Sequence, residues 1–327
     1  MCTAITYRTK NLYFGRTLDL EYHYKEGITV TPRKYCFDFG TNGKLGQHYA
    51  MIGVATVADG YPLYYDAVNE KGLCAAGLSF PKSAKYNASC PEKDNIGSYE
   101  FIPWMLSQSA SLLEARDLIA HINITDKAFS DSFEPTPLHW MIADREGAVV
   151  IEATQDGVKL YDNPVGVLTN EPEFEYHMQN LNNYMSLSPN PPVNSFASQL
   201  PLCAYSGGMG AIGLPGDASS MSRFIRAAFT KLNSASGDSE DESVSQFFHI
   251  LASVTQIRGC VRLMNLGGEK YNRTVYTSCC NADKGIYYYT TYESARVVGV
   301  DMYREELDGA SLVSYPLEYE SNLEIIN

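Results

Sequence analysis

The chain has 327 residues, of which 45% are hydrophobic and 19% are charged, a composition typical of a globular protein with a sizeable core. Its formal net charge of −13 and the absence of any run of lysine or arginine argue against a nucleic-acid-binding protein. No stretch of about 18 apolar residues occurs, so we expect no membrane insertion. A secretory signal is also absent from the sequence, and we therefore expect a cytoplasmic protein.

The elements predicted along the chain alternate between groups of strands and groups of helices. Because no regular β-α-β alternation occurs, a doubly wound parallel sheet is not expected. Two antiparallel sheets with pairs of helices outside them fit this order, and we expect an α+β protein with a single domain over residues 1–327. The predicted strands are two within 1–19 around a turn at 10–11, then 28–32, 51–57, 61–68, 72–80, 137–143, 148–153, 157–161, 274–280, 285–292 and 297–302. The predicted helices are 101–108, 111–122, 220–231 and 244–254.

Three segments are predicted to be irregular. Residues 37–47 are rich in Gly and Asn, and residues 170–216 are rich in Asn, Pro, Ser and Gly. The acidic stretch 237–242 separates two predicted helices and is expected to be a loop. A loop as long as 170–216 usually serves either function or assembly.

The first twenty residues carry the strongest chemical signal. Cys2 follows Met1 directly, and cysteine is small enough for routine removal of the methionine. The mature chain would then carry a thiol and a free α-amine on one residue. An α-amine has an ordinary pKa of about 8, so it can accept a proton near neutral pH. A nucleophile activated by its own amine needs no histidine.

Arg16 and Asp19 follow Cys2 within the stretch Phe14–Leu20. An arginine near a thiol favours the thiolate. A carboxylate near the α-amine can hold that amine by a charge-assisted hydrogen bond. The plainer alternatives are that Asp19 only pairs with Arg16, and that a cysteine at position 2 is a coincidence.

Other catalytic patterns are absent from the sequence. G-x-S-x-G, H-E-x-x-H and Walker A do not occur. Eight cysteines form no C-x-x-C pair and have no histidine at zinc-ligand spacing, so we expect free thiols, no metal and no organic cofactor. A Cys–His pair formed only in three dimensions stays open as an alternative.

A series of separated motifs runs through the whole chain. Together with Cys2 and Phe14–Leu20, these motifs resemble the choloylglycine hydrolase family of N-terminal-nucleophile enzymes, which includes bile salt hydrolases and penicillin V acylases. The resemblance is greatest to the bile salt hydrolases of Gram-positive gut bacteria. The motifs are Asn69-Glu-Lys-Gly-Leu73, Gly77-Leu-Ser-Phe-Pro81, Pro137-Leu-His-Trp140, Val167-Leu-Thr-Asn170, Asn180-Leu-Asn-Asn-Tyr184, Gly213-Leu-Pro-Gly-Asp217, Ser222-Arg-Phe-Ile-Arg226, Tyr276-Thr-Ser-Cys-Cys280 and Gly285-Ile-Tyr-Tyr-Tyr289.

The resemblance implies a four-layer α-β-β-α sandwich and an amidohydrolase that cleaves glycine- and taurine-conjugated bile acids. It implies that Cys2 is the nucleophile, that Arg16 lies beside the thiol and the scissile carbonyl, and that Asp19 binds the α-amine. By the same resemblance, Asn170 donates to the developing oxyanion, and Arg223 steadies the group from its helix. A homotetramer is implied as well.

Three residues are candidates for substrate binding. Leu20 and Tyr24 lie in or beside the segment after the catalytic stretch, where a steroid face could dock, although either could belong to the core. Ser79 stands where bile salt hydrolases usually carry asparagine and penicillin V acylases usually carry tyrosine. The preference for glycine or taurine conjugates is therefore left open by the sequence.

Plainer alternatives accompany these assignments. Asn170 precedes Glu171-Pro172 and could be only a turn residue. Arg223 and Arg226 are three residues apart on one predicted helix and could form surface ion pairs. Penicillin V acylase or a related amide acylase is the alternative activity, and an inactive relative that binds steroids or other amphipaths is the alternative of another class.

Overall fold

The computed structural model describes residues 1–263, 270–321 and 323–327, which form two large sheets with helices on their outer faces. Within these residues the strands are β1 Cys2–Arg8, β2 Leu12–Leu20, β3 Gly27–Thr31, β4 Phe37–Asp38, β5 Lys44–Leu45, β6 Met51–Ala58, β7 Tyr61–Asn69, β8 Cys74–Ser79, β9 Asp94–Gly97, β10 Ile122–Thr125, β11 Leu138–Asp144, β12 Gly147–Thr154, β13 Gly157–Asp162, β14 Val167–Leu168, β15 Val261–Leu263, β16 Lys270–Asn281, β17 Ile286–Thr291, β18 Val298–Asp301 and β19 Val313–Pro316. The α-helices are α1 Phe101–Gln108, α2 Leu112–His121, α3 Phe174–Asn180, α4 Ser220–Asn233 and α5 Glu240–Ala252.

The two large sheets are antiparallel and stack on each other. The first sheet has the order β14-β1-β2-β16-β17-β18, with β15 paired to β16. The second sheet has the order β13-β12-β11-β8-β7-β6-β3-β19. Helices α4 and α5 contact the first sheet, α1 and α2 contact the second, and β1 and β2 contact β8. The predicted four-layer α-β-β-α sandwich is confirmed. No helix among the described residues is both long enough and apolar enough to cross a bilayer.

The alternation of side chains between the two faces of a sheet explains why the sequences of the central strands are continuously apolar. In β6, Ile52 and Val54 belong to the core cluster that the first sheet shares, while Met51 and Ala55 belong to the cluster around Trp104 of α1. Residues two apart on a strand share a face, so each face of β6 meets a different layer. Both faces are therefore covered, and polar alternation is absent.

The prediction of an acidic loop at 237–242 is wrong in its second half. Helix α5 begins at Glu240, because the Ser239 side chain accepts from the Glu242 backbone N–H and the Glu242 side chain accepts from the Ser239 backbone N–H. This capping box, with three acidic residues in the first turn, stabilises the helix N-terminus. The apolar spacing that predicts a helix begins only at Val244, which explains the late predicted start.

Other short elements were not predicted from the sequence. The segment 170–216 contains α3 and short 3-10 turns at 181–184 and 209–211, and the segment 37–47 contains the small β4–β5 hairpin. Strands β9 and β10 pair in parallel in a separate small sheet. These elements have between two and seven residues each, too few for an apolar periodicity to stand out in the sequence.

Candidate active site

The N-terminal hairpin divides the predicted catalytic residues between the two faces of the first sheet. Cys2 begins β1, and Arg16 lies in β2 opposite Ala4. Because side chains alternate between the faces of a sheet, Cys2 and Arg16 share one face and Thr3 and Asp19 share the other. The strand pairing itself therefore places the Arg16 guanidinium on the face of the sheet that carries the Cys2 thiol, and the Asp19 carboxylate on the opposite face.

Cys2 is buried, with 3% of its surface exposed, and is a free cysteine. Its backbone N–H donates to Oδ1 of Asn170 at 2.9 Å. Its carbonyl oxygen accepts from Nη1 of Arg223. Both backbone polar groups of Cys2 are thus held by residues that lie far away in the sequence.

Arg16 is fully buried on the thiol's face of the hairpin. Its Nη1 donates to the carbonyl oxygens of Tyr65, at 3.0 Å, and of Gly77, both in the second sheet. Burial alone would lower the pKa of the guanidinium, but negative charge on Cys2 and other nearby acidic groups raises it above the ordinary value. Arg16 therefore remains cationic, on the same face of the sheet as the Cys2 side chain.

Asp66 is a buried carboxylate near Arg16 that sequence reasoning did not single out. It accepts from the hydroxyls of Tyr276 at 2.7 Å, Ser278 at 3.2 Å and Tyr287. Burial raises the pKa of Asp66, while the Arg16 charge and these three hydrogen bonds oppose the rise. Tyr276 and Ser278 lie in a motif of the resemblance, but nothing in that motif indicates a carboxylate partner.

Asp19 is fully buried on the other face of the hairpin. Its Oδ1 accepts from Oγ1 of Thr274 at 2.7 Å, and its Oδ2 accepts from Oγ1 of Thr17 at 3.2 Å. The N-terminal ammonium of Met1 donates to the backbone carbonyl of Asp19 at 2.7 Å. With Met1 in place, the chain terminus therefore meets the Asp19 backbone, and the Cys2 nitrogen is a peptide N–H.

Asn170 follows β14 and reaches Cys2 with its side-chain amide. Its Oδ1 accepts from Cys2 and from Nη2 of Arg223, the latter at 2.7 Å, and its Nδ2 donates to the Ser79 carbonyl at 2.8 Å. Because a guanidinium can only donate, the amide oxygen must face Arg223, which fixes the orientation of the amide. One hydrogen on Nδ2 is used by Ser79, and the second is available to another acceptor.

Arg223 joins these groups from α4, where it is fully buried. Besides Cys2 and Asn170, it donates from Nη1 to Oγ1 of Thr3 at 2.7 Å and from Nε to the Ala218 carbonyl at 3.1 Å. Burial lowers its pKa, while Asp19 and Cys2 oppose that effect. Arg223 is therefore an internal donor, and the alternative of a surface ion pair is excluded for it.

The three substrate-binding candidates are placed differently. Ser79 ends β8, is half-buried, and contacts Asn170 through its backbone carbonyl. Leu20 ends β2 and packs, half-buried, against the core. Tyr24 is 41% exposed, and its hydroxyl donates to the Tyr22 hydroxyl at 2.8 Å. The described contacts therefore connect only Ser79 directly to the group around Cys2.

Two clefts in the described part of the chain lie apart from the thiol. One of about 720 Å³ lies between α5 and β17, and one of about 380 Å³ adjoins the segment that follows Tyr24. Cys2 lines neither cleft. No group of three or more His, Cys, Asp or Glu side chains in the described ranges is arranged to hold a metal ion.

The hydrogen-bond partners of the predicted residues differ in how far the sequence indicates them. Thr17 lies within the stretch Phe14–Leu20 and could have been noticed, because a threonine two residues before Asp19 can reach the same carboxylate. Thr274 and Ser220, whose Oγ accepts from the Asn170 backbone N–H at 2.8 Å, carry no local signal. Their roles depend on strand and helix packing between distant parts of the chain.

Comparison with known proteins identifies the family to which this chain is similar. A model described as linear amide C-N hydrolases, choloylglycine hydrolase family, matches residues 2–315. The bile salt hydrolase/transferase of Lactiplantibacillus plantarum is 51% identical over 100% of both chains. The solved structure of the C2A mutant of conjugated bile acid hydrolase from Clostridium perfringens has a TM-score of 0.91 and 38% identity, covering 100% of both chains.

Penicillin V acylase from Agrobacterium tumefaciens shares the fold, with a TM-score of 0.74 and 18% identity over 96% of this chain and 90% of its own. The family match covers nearly the whole chain, including every residue assigned above to the group around Cys2. The resemblance inferred from the motifs is confirmed. This chain belongs to the choloylglycine hydrolase family and is a hydrolase of linear amide C–N bonds.

Proposed function

We propose that this protein hydrolyses the amide bond of glycine- and taurine-conjugated bile acids, with Cys2 as the nucleophile. The observation that carries the proposal is the buried Cys2, whose backbone N–H donates to the amide oxygen of Asn170 and whose side chain shares a sheet face with the cationic Arg16. The relatives named as bile salt and conjugated bile acid hydrolases, similar over their full length, support the substrate class.

The proposed reaction begins after removal of Met1, which turns the Cys2 peptide nitrogen into a free α-amine. The thiol passes its proton to this amine, and the thiolate attacks the carbonyl carbon of the substrate amide. The tetrahedral intermediate collapses when the α-ammonium protonates the leaving nitrogen, and glycine or taurine departs. Water, deprotonated by the same amine, then attacks the thioester, which releases the bile acid and restores the thiol.

The surrounding residues have separate roles in this proposal. Arg16 favours the thiolate by its charge. Asn170 donates its second Nδ2 hydrogen to the oxyanion, a donor placed where negative charge develops. Arg223 fixes the orientation of that amide. Asp19 holds the α-amine once Met1 is gone, by a charge-assisted hydrogen bond.

Substrate contacts are part of the same proposal. Leu20 and Tyr24 are assigned to the steroid face, and Ser79 to the amino-acid end of the substrate. Ser79→Asn should change the ratio of kcat/KM for taurine and glycine conjugates by more than two-fold, because an amide reaches farther and offers more donors than a hydroxyl. An unchanged ratio would remove Ser79 from the amino-acid end.

We propose, further, that residues 1–327 act as one domain, that the protein is a homotetramer, and that it works in the cytoplasm. The core cluster that spans both large sheets and α4 and α5 supports the first proposal. The second and third follow from the family resemblance and from the sequence. Light scattering coupled to size-exclusion chromatography tests the tetramer, and cell fractionation tests the location.

A side-by-side assay tests the function. Glycocholate, taurocholate and penicillin V are incubated with the purified protein, and release of the amine or of the penicillin nucleus is measured. We expect both bile acid conjugates to be cleaved faster than penicillin V, and Cys2→Ala to cleave none of them. Faster cleavage of penicillin V would favour the acylase alternative, and binding without any cleavage would favour an inactive relative.

A further inference from the structure

Two buried histidines contact consecutive backbone carbonyls at the site. His139 Nε2 lies 3.1 Å from the carbonyl oxygen of Thr169, and His177 Nε2 lies 2.9 Å from the carbonyl oxygen of Asn170. Both histidines and Thr169 are fully buried. Since a carbonyl oxygen cannot donate, each Nε2 must carry the hydrogen. The backbone that carries the Asn170 side chain is therefore held from two sides.

Glu152 connects the two histidines. Its Oε1 lies 3.0 Å from Nδ1 of His139 and accepts from the backbone N–H of Phe174 at 3.0 Å. Phe174 is the first residue of α3, and His177 lies on the same helix. These contacts link the Thr169 carbonyl to His139, His139 to Glu152, and Glu152 to α3, whose His177 contacts the Asn170 carbonyl. We call His139, Glu152 and His177 the histidine bracket.

The same rings pack against neighbours of the residues that hold the Asn170 side chain. His139 stacks on Phe80 at 4.2 Å between ring centroids, and Phe80 directly follows Ser79. His177 stacks on Phe224 at 4.8 Å, and Phe224 directly follows Arg223 on α4. The Ser79 carbonyl accepts from Nδ2 of the Asn170 amide, and Arg223 donates to its Oδ1 alongside Cys2. Backbone and side chain of Asn170 are therefore fixed by one connected set of contacts.

We propose that the histidine bracket positions Asn170, holding its backbone so that the side-chain Nδ2 is aimed at the substrate's developing oxyanion. This inference rests on the proposed function, which makes Asn170 the oxyanion donor. His139, Glu152 and His177 touch no reacting atom in this scheme and are positioning residues. A donor held loosely is less effective, because the stabilisation depends on donors being in place before charge develops.

The test compares two amide substitutions of His177 that differ by one methylene group. The Gln side-chain N–H lies near the position of histidine Nε2 and can reach the Asn170 carbonyl, whereas the Asn side chain is too short. Removing an oxyanion donor outright lowers kcat by roughly 100-fold to 1000-fold. We expect His177→Asn to lower kcat by about 10-fold or more, with KM within about two-fold, and His177→Gln to keep most of the wild-type kcat.

Counting folded molecules separates positioning from folding. The folded fraction of each preparation is measured by near-ultraviolet circular dichroism, so that kcat is expressed per intact site. A merely structural role would reduce the number of sites and leave kcat per site unchanged. His48→Leu is the matched control, because His48 is also buried and contacts two backbone carbonyls, of Tyr49 and Tyr35, at 2.8 Å each, away from the site. We expect this variant to keep kcat per site.

Asn170→Ala, measured alongside, distinguishes a failure of the positioning role from a failure of the proposed function. If it loses most of its kcat while His177→Asn and His177→Gln have equal kcat per site, the positioning role is overturned and the proposed function stands. If Asn170→Ala retains kcat, the oxyanion assignment fails and the bracket has no catalytic purpose. A His48→Leu variant that loses as much kcat per site as His177→Asn would also overturn the inference.

Discussion

Thr274 offers a sharp test of how Asp19 is held, because the two residues face each other across the pairing of β16 with β2. The Thr274 hydroxyl donates to the Asp19 carboxylate at 2.7 Å, and both residues are buried. The same hydroxyl accepts from the backbone N–H of Gln256 at 2.8 Å. Thr274→Val keeps the branched shape but removes both hydrogen bonds.

The expected loss follows from these two bonds. A hydrogen bond to a charged group contributes roughly 1.5–3 kcal/mol, and a buried N–H left without an acceptor costs about 1–3 kcal/mol. Asp19 keeps the hydrogen bond from Thr17, which limits the damage. We expect Thr274→Val to lower the free energy of unfolding by about 2–4 kcal/mol. The value of kcat should fall as well, because a less restrained Asp19 would hold the α-amine of Cys2 less well.

Urea unfolding by linear extrapolation measures the first effect, and kcat on the same preparations measures the second. Thr29→Val is the matched control, because Thr29 is also a fully buried strand residue, but its hydroxyl pairs with the neutral Ser314 hydroxyl at 3.0 Å. This variant should lose roughly 0.5–1.5 kcal/mol and keep its kcat. Equal losses of stability in the two variants, with kcat unchanged in Thr274→Val, would refute the reasoning.

Two further predictions concern stability. Burial, the main cause, lowers the pKa of His177 from 6.5 to about 4, with the charges of His139 and Arg223 adding to it. The neutral ring therefore contributes stability that is fully present above pH 6.5 and is lost as the pH falls to 4, about 3 kcal/mol in all. Urea unfolding should show the difference in stability between wild type and His177→Gln shrinking over this range, and a constant difference would contradict the shift. Ser239→Ala should cost about 1 kcal/mol through loss of the α5 cap, without changing kcat, and a fall in kcat would mean that the cap acts on the site.

Much of the fold could be predicted because its strands are long and its turns are marked. The N-terminal hairpin and the β6–β8 meander follow from apolar runs separated by turn residues, and α2 follows from its helical spacing and the Ser111 cap. The start of α5 was missed because its first turn is purely polar. The sequence order of elements indicates two sheets, but the pairing of β16 with β2 joins segments that are distant in the chain.

The residues of the candidate site also differ in how far the sequence alone could predict them. Cys2, Arg16 and Asp19 lie within one hairpin, so a short motif was enough to bring them together. Asn170 and Arg223 could be assigned only by resemblance, and the contacts that join them to Cys2 come from the packing of β14 and α4 on β1. The histidine bracket was not visible, because nothing in a sequence distinguishes a histidine that supports a backbone carbonyl from one that fills the core.

The central claim is that Cys2, with its own α-amine, is the nucleophile, and trapping the acyl-enzyme tests it most directly. The protein is mixed with glycocholate, quenched in acid within the first turnovers, and digested with pepsin in acid for mass spectrometry. The account predicts a cholyl thioester on the peptide that begins at Cys2, with Met1 absent. A cholyl group on any other residue, or full turnover by protein that wholly retains Met1, would contradict it.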